Sequence, residues 1–435
     1  MAPMRTVLSA DWVIPVEGEP IERGAIAIEN GHIAALGTAD ELGDGRFYPE
    51  AVILPGFINA HSHVEYAAYA GFGDGLAFAP WLLLHIERKG RLDLAQMEDV
   101  ARLGAAECLR SGITTVGDAS FAGAAATACD ELGLRAIVYL EVFGPGTEHL
   151  HTRFEVNRDR VADSFSDRVQ LGISPHSGYG ASLELWEAAT ELGLPTATHF
   201  AESAAEVEWV RGRPGSFPVP LEVAPSSIRA LAERGCLTDR LVAAHCVKVD
   251  ADEIELLAQY DVAVAHCPRS NALLGCGVAP LRELREAGIR VALGTDSPAS
   301  TPSFDMFEEL RAAVYSARAR DETPEALFAH AALELATLGG ARALRLDGAT
   351  GSLVPGKRAD VVVVSFEGSA FVPWEDPVRA VVLGGSPDRV VTTIVDGEVR
   401  YERGGTEWHE LTAAAQSARR AMLSAAPAPR VAEPA

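Results

Sequence analysis

Long hydrophobic runs are missing from this chain. No apolar stretch approaches 18 residues, so no transmembrane helix is expected. Met1-Ala2-Pro3-Met4-Arg5-Thr6-Val7 has no secretory core, which points to the cytoplasm. Cysteine is sparse: six residues, at 108, 129, 236, 246, 267 and 276, with no C-x-x-C spacing. That argues against a disulfide framework and fits a reducing compartment. Positive charge is short as well. Lys and Arg total 37 against 61 Asp and Glu, a formal net charge of −24. Phosphate backbones and anionic membranes would be repelled, so neither nucleic acid nor membrane is an expected partner. P-C-x-x-C occurs nowhere, which sets aside the zinc deaminases of nucleic acids although His63-Val64-Glu65 imitates their first half. Gly71-Phe72-Gly73-Asp74-Gly75 is not a dinucleotide fingerprint and reads as a flexible loop.

What is present is an ordered alternation. With 435 residues, two domains or a barrel with an appendage is the prior. Both ends carry short β-like runs. Near the start these are Thr6–Leu8, Trp12–Val16, Ala25–Ile28 and His32–Leu36, with Glu29-Asn30-Gly31 as a hairpin turn. Near the end they are Ala359–Val364, Ala380–Leu383 and Val390–Val395, with Asp396-Gly397 as a second turn. Between them, apolar runs alternate with amphipathic stretches such as Leu92–Arg110, Ser182–Leu192 and Asp252–Tyr260. The runs are Ala51–Ile58, Ile113–Asp118, Arg135–Phe143, Val169–His176, Pro195–His199, Leu241–His245, Val262–His266 and Arg290–Asp296. The predicted fold is therefore α/β: a (β/α)8 TIM barrel with a small β-sandwich built from both termini. The sandwich is assigned to 1–54 and 348–405 and the barrel to 55–347. Residues 406–435 are assigned to a C-terminal helix, Glu410–Ala426, and a Pro/Ala-rich disordered tail.

The predicted strands end in chemistry. Strand one ends in His61 and His63, two residues apart and so on one side of an extended backbone. Strand four ends in His176, strand five in His199 followed by Glu202, strand six in His245, and strand eight in Asp296. Barrel sites are assembled at the C-terminal strand ends. A lone histidine is commonly a hydrogen-bonded core residue; this ordered set is hard to obtain by chance. Three histidines and one aspartate with an open position suit Zn²⁺ or Fe²⁺, which supplies hydroxide near neutral pH. His245 and Glu202 are spare titratable groups for proton transfer, and Asp296 can accept the water's proton.

Pro55-Gly56-Phe57-Ile58-Asn59-Ala60-His61-Ser62-His63, His199-Phe200-Ala201-Glu202, Ala244-His245-Cys246 and Gly294-Thr295-Asp296-Ser297 resemble the amidohydrolase superfamily, in its branch of cytosine deaminase, chlorohydrolases and adenosine-type deaminases. Gly351–Asp360 resembles that family's re-entry into its β domain. The resemblance implies metal ligands His61, His63, His199 and Asp296, with Glu202, His245 and Asp296 catalytic. Two-metal relatives carry a lysine at the end of strand four. Here that strand reads Gly172-Ile173-Ser174-Pro175-His176, which implies one divalent ion, Zn²⁺ before Fe²⁺, and makes His176 a substrate contact.

Glu65–Leu82 resembles the specificity loop of S-adenosylhomocysteine and methylthioadenosine deaminases, with Trp81-Leu82 at its end. Those enzymes bind ribose through a glutamate just before the tryptophan, where this chain has Ala79 and Pro80; Glu65 is the candidate replacement. Phe72, Phe78 and Trp81 are candidates to stack on a heteroaromatic ring. His266-Cys267-Pro268-Arg269-Ser270-Asn271 resembles aminodeoxyfutalosine deaminases, with Arg269 suited to a substrate carboxylate. The expected reaction is deamination of a purine-like ring in a small molecule. The lead substrate is 6-amino-6-deoxyfutalosine. S-adenosylhomocysteine, methylthioadenosine or adenosine, chlorohydrolase-type chemistry, and a non-catalytic metal-stabilised barrel are the alternatives. A homodimer is a candidate assembly.

Overall fold

The computed structural model describes residues 5–43, 45–212, 223–224, 226–405 and 408–425. The tail expected to be disordered, beyond Ala425, lies outside the described residues.

Five strands come first: β1 (Arg5–Val13), β2 (Ile21–Glu22), β3 (Gly24–Glu29), β4 (His32–Thr38) and β5 (Arg46–Pro55). Eight more form the centre: β6 (Phe57–Ser62), β7 (Ile113–Ser120), β8 (Arg135–Val142), β9 (Val169–Pro175), β10 (Thr196–Phe200), β11 (Leu241–His245), β12 (Ala263–His266) and β13 (Val291–Leu293). Three close the chain: β14 (Val361–Ser365), β15 (Val390–Val395) and β16 (Glu398–Glu402).

β6 to β13 pair in chain order and in parallel, with helices between them. The ring closes where the Asp296 amide donates to the His61 carbonyl at 3.0 Å. Gly294 permits that closure, since a Cβ there would lie 2.9 Å from the His61 Cβ. The barrel is thus the parallel, doubly covered sheet that the apolar runs imply.

The terminal strands form one connected sheet, in the order β16-β15-β14-β5-β1-β3-β4 with β2 on β1. Both hairpin turns are present: Asn30 and Gly31 have φ of 50° and 78°, and Asp396 and Gly397 of 52° and 76°, the positive values that tight hairpins need. The sheet buries Leu8, Ile26, Ile33, Ile53, Val361 and Ile394 in a core of its own. Arg135, at the start of β8, ties it to the barrel by pairing with Asp360 at 2.8 Å and Asp396 at 2.5 Å. Asp360 belongs to the re-entry motif.

Two readings of the sequence are corrected. The run Ala51–Ile58 is not one barrel strand. Ala51–Pro55 belongs to β5, between β14 and β1 in the terminal sheet, and only Phe57 onward enters the barrel. Gly56 is the break; any Cβ there would fall about 2.1 Å from the Thr114 side chain. The β-branched run Ala380–Leu383 is not a strand but lies in the helix Pro377–Gly384. Asp376 accepts from the amides of Val378 and Arg379, and Pro377 occupies the first turn. This capping outweighs the β preference of Val381 and Val382. At the C-terminal end, a helix runs over Trp408–Ala425.

Candidate active site

Four buried side chains from three places on the barrel rim converge. His61 and His63 come from the end of β6, His199 from β10, and Asp296 from the turn after β13. One ligand-type atom from each lies within 4.8 Å of the others. Their orientation is set from behind. His63 Nδ1 donates to the Ala119 carbonyl at 2.8 Å, and His199 Nδ1 to the His176 carbonyl at 2.7 Å. With Nδ1 protonated, each Nε2 carries a lone pair. Yet those two Nε2 atoms face each other at 3.3 Å, and His61 Nε2 is buried with no hydrogen-bond partner. Asp296 Oδ1 stands 3.5 Å from Nε2 of both His61 and His63, while its Oδ2 accepts from Ser270 and Ser300 at 2.6 Å each. Three converging lone pairs and one carboxylate oxygen, held by outer partners, fit a single divalent cation of the zinc type.

The electrostatics agree. Burial, then the His61 charge, lowers His63 to about 4. Burial also lowers His61 and takes His199 well below its ordinary value. These imidazoles are neutral at physiological pH, as ligands must be. Burial works against the Asp296 charge, but His61, His245 and His63 outweigh it and hold the carboxyl well below the usual range.

A second group shares Asp296 with Glu202 and His245, again within 4.8 Å. His245 Nδ1 donates to Asn271 Oδ1 at 3.0 Å. Its Nε2 is buried, unpartnered, and 3.7 Å from Glu202 Oε2. Burial, with the negative charges of Asp296 and Glu206, pushes the Glu202 carboxyl well above its ordinary value. Two neighbouring carboxyls are thus driven apart, one ionised and one protonated, as an acid and a base are. His245 (φ 69°) and Asp296 (φ 58°) are both left-handed. A non-glycine residue there costs about 1–3 kcal/mol, and such residues cluster at functional sites.

The cluster opens into a cavity of about 400 Å³. Trp81 and His176 line it, as does Phe78. Trp81 is fixed by its Nε1, which donates to the Ala299 carbonyl at 2.9 Å, and by parallel stacking on His85 at 5.5 Å. Phe72 sits behind, buried and parallel to both rings, and ties down the glycine-rich loop.

Two expected contacts are elsewhere. Glu65 is turned away from the cavity. It accepts from Ser120 and from the amides of Phe121 (2.8 Å) and Ala122 (2.9 Å), pinning the loop after β6 to the end of β7. Arg269 is spent internally, on Glu309 at 2.5 Å, Glu308 at 2.7 Å and the Ser303 carbonyl at 2.7 Å. Burial opposes its charge, but Glu309 holds the guanidinium above its ordinary pKa. Its neighbours Ser270 and Asn271 are the ones that brace Asp296 and His245. Several lining residues escaped the sequence reading: Tyr66, His85, Lys89, Glu141, Phe143 and Arg153. Glu141 had a signal, since it stands near the C-terminal end of β8 as the histidines do in their strands. Lys89 had none, because a basic residue in a helix's last turn is ordinary.

The profile of the Amidohydrolase family matches residues 52–400. The chain belongs to that family, in its deaminase and chlorohydrolase branch. It is 34% identical to a 5'-deoxyadenosine deaminase of Methanothermobacter thermautotrophicus, over 89% of this chain and 91% of that one. It is also 34% identical to a 5-methylthioadenosine/S-adenosylhomocysteine deaminase of Moorella thermoacetica, over 90% and 93%. A crystal structure of an adenosine deaminase from Xanthomonas campestris with bound zinc superposes with a TM-score of 0.85 at 29% identity, covering 96% of this chain and 98% of that one. Within its family the chain is a deaminase.

Proposed function

We propose that the protein hydrolytically deaminates the adenine ring of adenosine-type nucleosides, including 5'-modified ones such as 5'-deoxyadenosine and methylthioadenosine. The observation that carries this reading is the pair of clusters sharing Asp296: four atoms suited to a cation, and beside them an acid–base set that a structural metal site would not need. The relatives named above act on adenine nucleosides. The case for 6-amino-6-deoxyfutalosine rested on the stretch His266–Asn271 with Arg269 as the carboxylate partner, and that guanidinium is committed to Glu309 and Glu308.

His61, His63, His199 and Asp296 would hold one divalent cation. When bound, it acidifies water so that a nucleophile is available near neutral pH. The residues do the rest. Asp296, ionised, accepts the proton that water loses as its oxygen attacks the amino-bearing ring carbon. Glu202, protonated, donates to the adjacent ring nitrogen. His245, held through Nδ1 by Asn271, presents Nε2 to the attacking oxygen. The proton on Asp296 then leaves with ammonia, and Trp81 and Phe78 offer ring faces to the purine.

The test is ammonia release by zinc-loaded protein from adenosine, 5'-deoxyadenosine, methylthioadenosine and free adenine. Turnover of the nucleosides is the expected result. Activity confined to free bases, or absent from all four, overturns the reading.

A further inference from the structure

The cavity wall holds two buried charges to which the proposed chemistry gives no role. Glu141 is the last residue but one of β8 and is 1% exposed. Its Oε1 accepts from His176 Nδ1 at 2.7 Å, but its Oε2 is buried without a hydrogen-bond partner. Lys89 closes the helix Phe78–Lys89 and is 9% exposed. Its ammonium rests on ring faces, 3.9 Å from the centre of Phe121 and 5.3 Å from that of Phe143. Among the described residues no carboxylate or carbonyl takes a hydrogen bond from it. Glu141 is the strongest charge acting on Lys89, yet the two form no ion pair.

A buried acceptor without a donor carries a desolvation cost, and so does a largely buried ammonium that rests on ring faces. Both groups line the cavity, so a ligand can relieve both. Their place is telling. Glu141 bonds to His176, whose ring centre is 4.5 Å from that of His199. Glu141 therefore lies one ring outward from the metal-type cluster, and Lys89 reaches the same place through Phe143, whose ring centre is 4.9 Å from that of His176, a position open to the substituent of a heterocycle held at the cluster. A carboxylate would satisfy Lys89 but face the Glu141 carboxylate; an ammonium would do the reverse. Arg153 also lines the cavity and keeps its charge, but its Nε and Nη2 are already given to the carbonyls of Glu141 and Phe121. Hydroxyls satisfy both groups, because each donates a proton and accepts one.

We infer that Glu141 and Lys89 together recognise the sugar hydroxyls of the substrate, Glu141 Oε2 accepting from one and the Lys89 ammonium donating to its neighbour. The inference rests on the nucleoside reading and assigns to this pair the task that Glu65 cannot perform.

The test uses zinc-loaded protein and the deamination product, which cannot turn over. Binding of inosine and of 2',3'-dideoxyinosine is measured by calorimetry for wild type, Glu141→Gln and Lys89→Met, with zinc content and melting checked in each. Wild type should prefer inosine, and each variant should lose about tenfold to a hundredfold in inosine affinity, as for one charge-assisted hydrogen bond. Dideoxyinosine should bind all three alike. Equal affinity of wild type for the two ligands, equal losses on both in the variants, or no inosine binding overturns the inference. So does a nucleoside 5'-carboxylate that binds better than inosine, loses affinity in Lys89→Met and gains it in Glu141→Gln. Ammonia release is read separately. A protein that prefers inosine yet releases no ammonia from adenosine keeps the hydroxyl site and loses the deaminase proposal.

Discussion

Around Asp296, the side-chain atoms that point away from the cluster are satisfied. Its Oδ2 has Ser270 and Ser300, His63 and His199 have backbone carbonyls, and His245 has Asn271. Around Lys89, on the same cavity, the reverse holds: an ammonium and a carboxylate oxygen wait, and rings supply the contacts. The inner region stands on strand ends braced from behind. The outer wall draws on a helix terminus and the end of β8. The difference separates two tasks. Chemistry needs atoms held within fractions of an ångström before substrate arrives. Recognition can leave a cost unpaid until the right ligand settles it.

If that contrast is right, inner substitutions should destroy turnover and outer ones should shift selectivity or stability. The largest effect is expected for Asp296→Asn, which removes a metal-type ligand and the proposed base at once. Ammonia release should drop by at least about 10³-fold and zinc stoichiometry should fall; retained turnover would break the scheme. Glu202→Gln should lose about 10²- to 10⁴-fold in kcat/KM with zinc content unchanged. Burial raises the Glu202 pKa, so its acid form persists to higher pH than a free carboxyl's. Wild-type kcat/KM should therefore decline as pH rises through that raised value, and the decline should vanish from the residual activity of Glu202→Gln.

Arg269→Met tests the contrast differently. It strands the buried Glu309, so stability should fall by about 3–5 kcal/mol in denaturant unfolding. Discrimination between neutral and carboxylate-bearing nucleosides should stay unchanged; a selective loss on the latter would return Arg269 to the substrate. The smallest effect is for Lys89→Met. Burial, only partly offset by Glu141, lowers Lys89 to about 8 from an ordinary 10.5. The folded protein thus binds this proton less tightly than the unfolded chain. Removing the charge should raise stability at pH 7 by about 1–3 kcal/mol. Between pH 8 and 10.5 wild-type stability should gain on the variant's as pH rises, because the folded protein has already shed the proton that the unfolded chain still holds. A destabilised Lys89→Met would mean that the ammonium serves the fold.

The sequence was most informative where physics is periodic or terminal. Apolar runs on both faces mark parallel strands, and polar residues at their ends mark the rim, so His61, His63, His199, His245 and Asp296 could be seen before any coordinates. It was least informative where tertiary partners decide. Glu65 and Arg269 sit at plausible offsets from the cluster, yet the free amides after β7 capture one and Glu309 captures the other. Only the fold brings Lys89 beside Phe121, a neighbour 32 positions away in the chain. Val381 and Val382 read as strand because the cap at Asp376 and Pro377 acts from outside the run.

Gly56 carries a mechanical consequence. β5 and β6 meet there almost without interruption, so the strand that presents His61 and His63 prolongs one clamped between β1 and β14. Any strain put on the terminal sheet runs down that strand to two of the four inward-facing ligands. The sheet serves as the barrel's foundation, and cutting it away would loosen the four-residue cluster before it touched the pocket.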